Sequence, residues 1–230
     1  LHAKHQHLAP REVVEAGERL GLPADHIPQL SEVNDLLAPH TGFRYQPAAG
    51  LVPLAEFYGS LADRRFWSTQ YIRHASLPLY TPEPDVIHEV VGHATTLASP
   101  RLAALYEAAG GAARRCESPD ALEFVSKVFW FSLEFGVLRE NGHPKAYGAG
   151  LLSSYGEIEE FQGADLRRLD IPAMGTTTYD ITHYQPVLFC GESLEPRAVV
   201  LVVARVELRE PRAPESAAIE IADVRPEPGG

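Results

Sequence analysis

The chain has 230 residues and a formal net charge of −11, with 45% hydrophobic and 22% charged residues. That length suits one domain with a substantial core, and the composition is that of an ordinary globular protein. The negative charge argues against a phosphate-backbone partner, because the counterion-release contribution has the wrong sign. No nucleic-acid partner is therefore expected. No apolar run approaches the length of a membrane span, and the start shows no signal-peptide pattern. The chain begins at Leu1 rather than at a methionine, which leaves room for residues upstream. Cys116 and Cys190 form neither a disulfide framework nor a zinc-finger spacing. They are expected as free thiols in a reducing, cytoplasmic setting.

In chain order, Pro10 to Leu20 reads as a helix, with Pro10 near its start and Gly21 near its end. A second helix is predicted over Leu30 to Leu37, with Leu30, Val33, Leu36 and Leu37 on one side. Pro47 to Pro53 is a loop by its prolines and glycine, and Leu54 to Ala62 is helical. Tyr80-Thr81-Pro82-Glu83-Pro84 is a rigid extended entry, with Pro84 in the first turn of the helix that follows. That helix has Val86, Ile87, Val90 and Val91 as its apolar face, with His88 and Glu89 elsewhere. Ser118-Pro119-Asp120 opens a long helix through Phe135. Leu122, Val125, Phe129 and Leu133 lie near one stripe of it. Asn141-Gly142 suggests a hairpin turn. Ser154 to Phe161 is predicted helical, and Val199 to Leu208 is a strand before a proline-marked, fraying tail. The expected class is mainly α with a few short strands. One domain is expected over 1–230: an N-terminal helix to about residue 26, a core over 27–193, and a strand with tail over 194–230.

The most informative motif is His88-Glu89-Val90-Val91-Gly92-His93. The zinc-protease signature sets its histidines four apart, about 40° around a helix, so both face one metal. Here they stand five apart, about 140° around an ideal helix. The expectation is a helix carrying His88, a break near Gly92, and His93 swinging in from the end. A later carboxylate would complete a set of two histidines and one carboxylate, which suits iron(II) and leaves positions open. Glu123 and Glu157 qualify on chemistry alone. Glu134 gains from its setting in Trp130-Phe131-Ser132-Leu133-Glu134-Phe135, a poor place for a solvated charge.

Several blocks then occur in order: Gln70 to His74, Tyr80 to Asp85, His88 to His93, Lys145 to Ser154, and Tyr184-Gln185-Pro186. They resemble the catalytic domain of the pterin-dependent aromatic amino acid hydroxylases, particularly bacterial phenylalanine hydroxylases. The resemblance runs from about Ile27 to Ser193. It implies that family's mainly helical catalytic domain and a mononuclear iron(II) held by His88, His93 and Glu134. It also implies that Arg73 receives the amino acid carboxylate and Asp85 orients Arg73, a task suited to a two-pronged guanidinium. Thr81 and Ser153 would contact the amino and carboxylate end of the substrate. Pro84, Trp130 and Phe135 would wall its ring. The loop Gly50-Leu51-Val52 and Phe57 would hold the tetrahydropterin (tetrahydrobiopterin or a relative), with Glu89 contacting it through water.

Two departures bear on specificity. Trp67 stands where relatives commonly have histidine or glutamine, and Ala94-Thr95-Thr96 where many have Val-Pro-Leu. Both are expected close to the iron and the ring pocket. Ile181 is apolar where tyrosine-using relatives carry a carboxylate. The expected activity is ring hydroxylation of a free aromatic L-amino acid, with dioxygen as co-substrate and phenylalanine the first choice. Tryptophan, or attack at an unusual ring position of phenylalanine, comes second. A zinc hydrolase is the rival class, with Glu89 as its base. The chain shows no counterpart of the tetramerisation helix of animal members, so a monomer is expected. His2, His5 and His7 are expected in solvent. His183 is expected near the site, and His26, His40, His74 and His143 at the surface or behind it.

Overall fold

The computed structural model describes residues 1–79, 81 and 83–193. Where one N-terminal helix was expected there are two, α1 (His2–Leu8) and α2 (Arg11–Leu20). α2 follows Pro10 and stops at Gly21, whose φ of 63° is the left-handed conformation that ends many helices. Its buried residues Val13, Ala16 and Leu20 recur at helical spacing. α3 (Leu30–Thr41) opens with a capping box between Gln29 and Glu32. It runs past Leu37 because Pro39 is accommodated inside its last turn.

Two short strands that periodicity does not reveal, β1 (Arg44–Pro47) and β2 (Arg65–Ser68), pair in parallel around α4 (Leu54–Leu61). The next helix begins at Val86. Pro84 lies outside it, and Asp85 caps it by accepting the His88 backbone N–H at 3.2 Å. Tyr80 and Pro82 of the expected extended entry lie outside the described residues. This helix does not break at Gly92. Ile87–Ala94 is a continuous π-helix, here π1, which runs into α5 (Thr95–Leu97).

Two serine-capped helices follow. In α6 (Pro100–Ala113) Ser99 accepts the Leu102 N–H, and in α7 (Pro119–Phe129) Ser118 accepts the Ala121 N–H. The helix expected to reach Phe135 changes at Trp130 into a second π segment, π2 (Trp130–Glu134). Its widened turn is closed by the Phe135 N–H on the Trp130 carbonyl at 2.8 Å. β3 (Val137–Glu140) and β4 (His143–Ala146) form the expected hairpin. Asn141 and Gly142 have φ of 53° and 82°, the two positive values that a tight hairpin turn demands.

Ser154 ends α8 (Ala149–Ser153) instead of opening a helix. Helix resumes only at α9 (Glu157–Glu160), with a 3₁₀ turn over Phe161–Gly163. β5 (Asp165–Arg168), α10 (Ile171–Thr176) and β6 (Val187–Gly191) complete the described chain. The larger sheet has the order β4-β3-β6-β5, with β6 parallel to both neighbours. The strand expected from Val199 to Leu208 and the tail lie outside the described residues. Among the described residues no helix is long and apolar enough to cross a membrane.

Tyr106 of α6 is fully buried at the heart of the core, with edge-on contacts to Phe43, Phe66 and Phe129. α8 packs closely against π1 on one side and π2 on the other. Glycine makes this approach possible. A Cβ at Gly92 would lie 2.6 Å from the Ala149 carbonyl oxygen, and one at Gly148 would strike the backbone of Glu134.

Candidate metal centre and its two cavities

His88 and His93 come from π1 and Glu134 from the end of π2. A π-turn closes on i→i+5 hydrogen bonds, so residues five apart stack on the same face. That is how His88 and His93 point at one place without a break. Their Nε2 atoms lie 2.9 Å apart. Glu134 brings Oε1 to 3.1 Å from His93 Nε2 and Oε2 to 3.5 Å from His88 Nε2. Ligand atoms of all three residues fall within 4.8 Å of one another.

The outer nitrogens are each held. His88 Nδ1 meets Ser153 Oγ at 2.9 Å, and Ser153 donates its own proton to the Ala149 carbonyl at 2.8 Å. His93 Nδ1 meets the Tyr106 hydroxyl at 2.8 Å, which in turn meets Thr96 Oγ1 at 2.9 Å. With Nδ1 donating in both rings, both Nε2 lone pairs face the centre beside a carboxylate. Such a set repels itself and is suited to a cation. Imidazole and carboxylate donors on one side, with the other side facing a cavity, fit a divalent iron.

Electrostatics agree. Burial and the neighbouring His93 push His88 down to about 4, so it stays neutral. Burial also opposes charge on His93, but Glu134 outweighs it and raises His93. Burial likewise opposes ionisation of Glu134, and the two imidazoles overcome it, lowering its carboxyl. Positive charge is thus favoured beside Glu134, which is the place a metal ion's charge would take.

A cavity of about 380 Å³ opens over His88 and Glu134. Trp130 and Phe135, 4.5 Å apart between ring centroids, line it together with Pro84. Arg73, Thr81 and Ser153 supply polar groups, and Ile181 stands on its rim, 62% exposed. Asp85 is fully buried behind Arg73. It accepts the guanidinium twice, Nε at 2.8 Å and Nη2 at 2.7 Å, and the Arg73 backbone N–H at 2.8 Å. Burial resists the charge on Asp85, but Arg73 prevails and holds its carboxyl below the usual range. Thr81 donates to the Glu83 carbonyl at 2.6 Å.

A second cavity, about 510 Å³, shares Glu83 and Pro84 with the first. Gly50, Leu51, Val52, Phe57, Trp67 and Glu89 all line it. Leu51 is 99% exposed at the edge of this cavity. Phe57 is braced edge-on by Tyr58, Phe66 and Phe129. Glu89 accepts from the Thr69 backbone N–H and hydroxyl, each at 3.2 Å, and burial raises its carboxyl to about 7.

Three expectations need correction, the first being Trp67, which lines the second cavity and not the ring pocket. Ala94, Thr95 and Thr96 are buried and line neither cavity. Thr96 stays close to the centre, donating to the His93 backbone carbonyl at 2.9 Å and meeting the Tyr106 hydroxyl at 2.9 Å, but it stands behind the ligands and away from the ring pocket. His5 is not in solvent: it is 7% exposed and its Nε2 meets the Leu152 carbonyl at 2.7 Å. Of the rival carboxylates, Glu123 pairs with Lys127 at 2.7 Å, and Glu157 accepts the Gln185 backbone N–H at 2.7 Å. His183 does line the first cavity, and both cysteines are free. Sequence reasoning missed Tyr106, Thr69 and Tyr179, whose ring stacks on Trp130 at 4.1 Å. Nothing local in the sequence marks these three. Gln185 had a signal, its place in the Tyr184-Gln185-Pro186 block, but no assigned task.

Residues 2–205 match the model of the biopterin-dependent aromatic amino acid hydroxylases. The chain is 51% identical over 195 residues to a phenylalanine 3-hydroxylase of Streptomyces coeruleorubidus, covering 85% of this chain and 70% of that one. It is 43% identical over 194 residues to the tyrosine 3-monooxygenase of Bos taurus, 84% of this chain but only 39% of that longer protein. The fold matches the phenylalanine hydroxylase of Chromobacterium violaceum, solved with iron(III) and 7,8-dihydrobiopterin bound. That match has a TM-score of 0.78 at 29% identity, covering 89% of this chain and 80% of that one. The chain belongs to the biopterin-dependent aromatic amino acid hydroxylases.

Proposed function

We propose that this chain is an iron(II)- and tetrahydropterin-dependent monooxygenase that hydroxylates the ring of free phenylalanine. The observation that carries the reading is one cavity with three features: Glu134 and His88 at its floor, Trp130 and Phe135 on its wall, and Arg73 among its polar groups. An amino acid with an aromatic side chain has that layout of groups. When bound, the metal and the reduced pterin supply activation of dioxygen and transfer of one oxygen atom to the ring.

The chain's own residues do the rest. Arg73, braced by Asp85, receives the substrate carboxylate through its remaining N–H groups. Thr81 and Ser153 complete the polar end. Pro84, Trp130 and Phe135 restrain the ring beside the open face of the triad, where orientation lowers the barrier. Ser153 and Tyr106 hold the ligand imidazoles in the tautomers that offer Nε2. Gly50 to Val52, Phe57 and Glu89 hold the pterin in the adjoining cavity, and Trp67 covers one side of it. The shared edge at Glu83 and Pro84 keeps pterin and amino acid on either side of one wall. Apolar Ile181 on the rim supports phenylalanine over tyrosine. We also take the chain as one catalytic domain, monomeric and cytoplasmic; its free thiols support a reducing compartment.

A second reading concerns the ring position. The Streptomyces relative is named for hydroxylation at carbon 3, so the 3-hydroxy isomer is the alternative product. The test is incubation with iron(II), reduced pterin and phenylalanine, tyrosine or tryptophan separately, with products identified by mass and NMR. Hydroxyphenylalanine formation, lost in His88→Ala and Glu134→Ala, supports the reading. No hydroxylation of any of the three, with zinc-restored hydrolysis instead, overturns it.

A further inference from the structure

We infer that Gln185 is a positioning residue: its amide sets the orientation of the Trp130 indole, and through it where the substrate ring lies over the metal centre. This rests on the reading above that the cavity holds an aromatic amino acid. Gln185 is 5% exposed, and both polar atoms of its side chain are committed. Nε2 donates to the Asp180 carbonyl at 2.8 Å and to the His183 carbonyl at 3.1 Å. Oε1 accepts from Trp130 Nε1 at 3.2 Å. Two carbonyls on one side require the amide NH2 there, which leaves only the oxygen for the indole donor. The backbone N–H is anchored in turn on the Glu157 carboxylate at 2.7 Å.

Stacking alone leaves Trp130 a freedom that this bond removes. Its indole lies against Tyr179 at 4.1 Å and 9°, and beside Phe135 at 4.5 Å. Stacked rings resist tilting but slide and rotate in plane at little cost. A hydrogen bond to Nε1 is directional and fixes that rotation. The same amide grips the turn that carries Ile181, so one side chain ties the ring wall of the cavity to its rim. Methionine would fill the space of Gln185 without either function.

The chain has two tryptophans, so its NMR spectrum holds two indole N–H signals, assigned with Trp67→Phe. Trp67 Nε1 is buried with no hydrogen-bond partner among the described residues, so the two signals differ in kind. In Gln185→Met the Trp130 signal is expected to shift and its hydrogen exchange to speed up by as much as roughly tenfold. The ratio of hydroxyphenylalanine isomers and the KM for phenylalanine should change with it. In a Trp130→Phe background, which has no indole donor, Gln185→Met should leave the isomer ratio unaltered. An unmoved Trp130 signal in Gln185→Met overturns the inference, as does an equal change of isomer ratio in both backgrounds. If Gln185→Met fails to fold, Trp130→Phe decides alone: a wild-type isomer ratio and KM there would overturn it. A wild-type chain that hydroxylates none of the three amino acids overturns the functional reading itself. Normal wild-type turnover with an unresponsive Gln185→Met overturns only this inference.

Discussion

Replacing Gly92 by alanine tests how the metal centre is built. In an exposed helix the change would stabilise by about 1 kcal/mol through helix propensity. Here the new Cβ would lie 2.6 Å from the Ala149 carbonyl oxygen, when a carbon and an oxygen settle at about 3.3 Å or more. α8 would have to retreat by roughly 0.7 Å on that comparison. The close packing of Gly148 and Gly150 on Glu134 and the Phe135 ring resists that shift. Overpacking of this kind costs about 1–3 kcal/mol, so the net effect is destabilising by up to about 2 kcal/mol. For a chain of this size that lowers Tm by roughly 4–8 °C at the upper end. Ser153 rides on α8, so its bond to His88 loosens too, and iron(II) affinity falls by about 10–100-fold. Gly111 is the control: an alanine there meets only the flexible Arg115 guanidinium at 3.5 Å and should stabilise by about 0.5–1 kcal/mol. Thermal unfolding and iron titration of both variants provide the measurement. A Gly92→Ala protein as stable as Gly111→Ala, with unchanged iron affinity, would refute the account of α8 wedged between two π segments.

Tyr106→Phe removes the partner of His93 Nδ1 without touching the cavity; iron affinity should drop about 10–100-fold in a metal titration while phenylalanine specificity stays. Asp85→Asn leaves the buried Arg73 guanidinium without its counter-charge. Denaturant unfolding should show a loss of about 3–5 kcal/mol, and steady-state kinetics a larger rise in KM than fall in kcat. Burial raises the Glu157 carboxyl to about 7, so the folded chain holds a proton that the unfolded chain releases near its ordinary carboxylate range. The stability this gives is complete below the unfolded pKa and is lost as pH rises through about 7. Glu157→Gln should therefore flatten the fall of stability between about pH 4.5 and 7 in unfolding curves; a slope equal to wild type would contradict the burial argument.

The parts of the chain that announced themselves are those whose physics is local. Pro10 and Gly21 bracket α2, Ser118 caps α7, and Asn141-Gly142 supplies the two positive φ angles of a hairpin. Residue types and spacing nominated His88 and His93 and favoured Glu134, because chemistry limits which side chains can hold an iron, whereas the groups around the cavities came from the resemblance of whole sequence blocks to a known family. The strands β1, β2, β5 and β6, each four or five residues long, were hidden because short strands alternate over too few positions to read. The expected break at Gly92 was wrong for a related reason. Sequence spacing was measured against an ideal α-helix, and the histidines sit in a π-helix whose i→i+5 turn no local pattern marks. That turn persists because α8 packs into it where Gly92 leaves room, a contact between residues 57 apart in number. The tautomer-setting bonds of Tyr106 and Ser153, and the amide of Gln185 on Trp130, likewise join distant segments. The sequence alone determined which side chains have the needed chemistry; tertiary packing decided their direction, because burial and hydrogen bonding between distant segments orient each group.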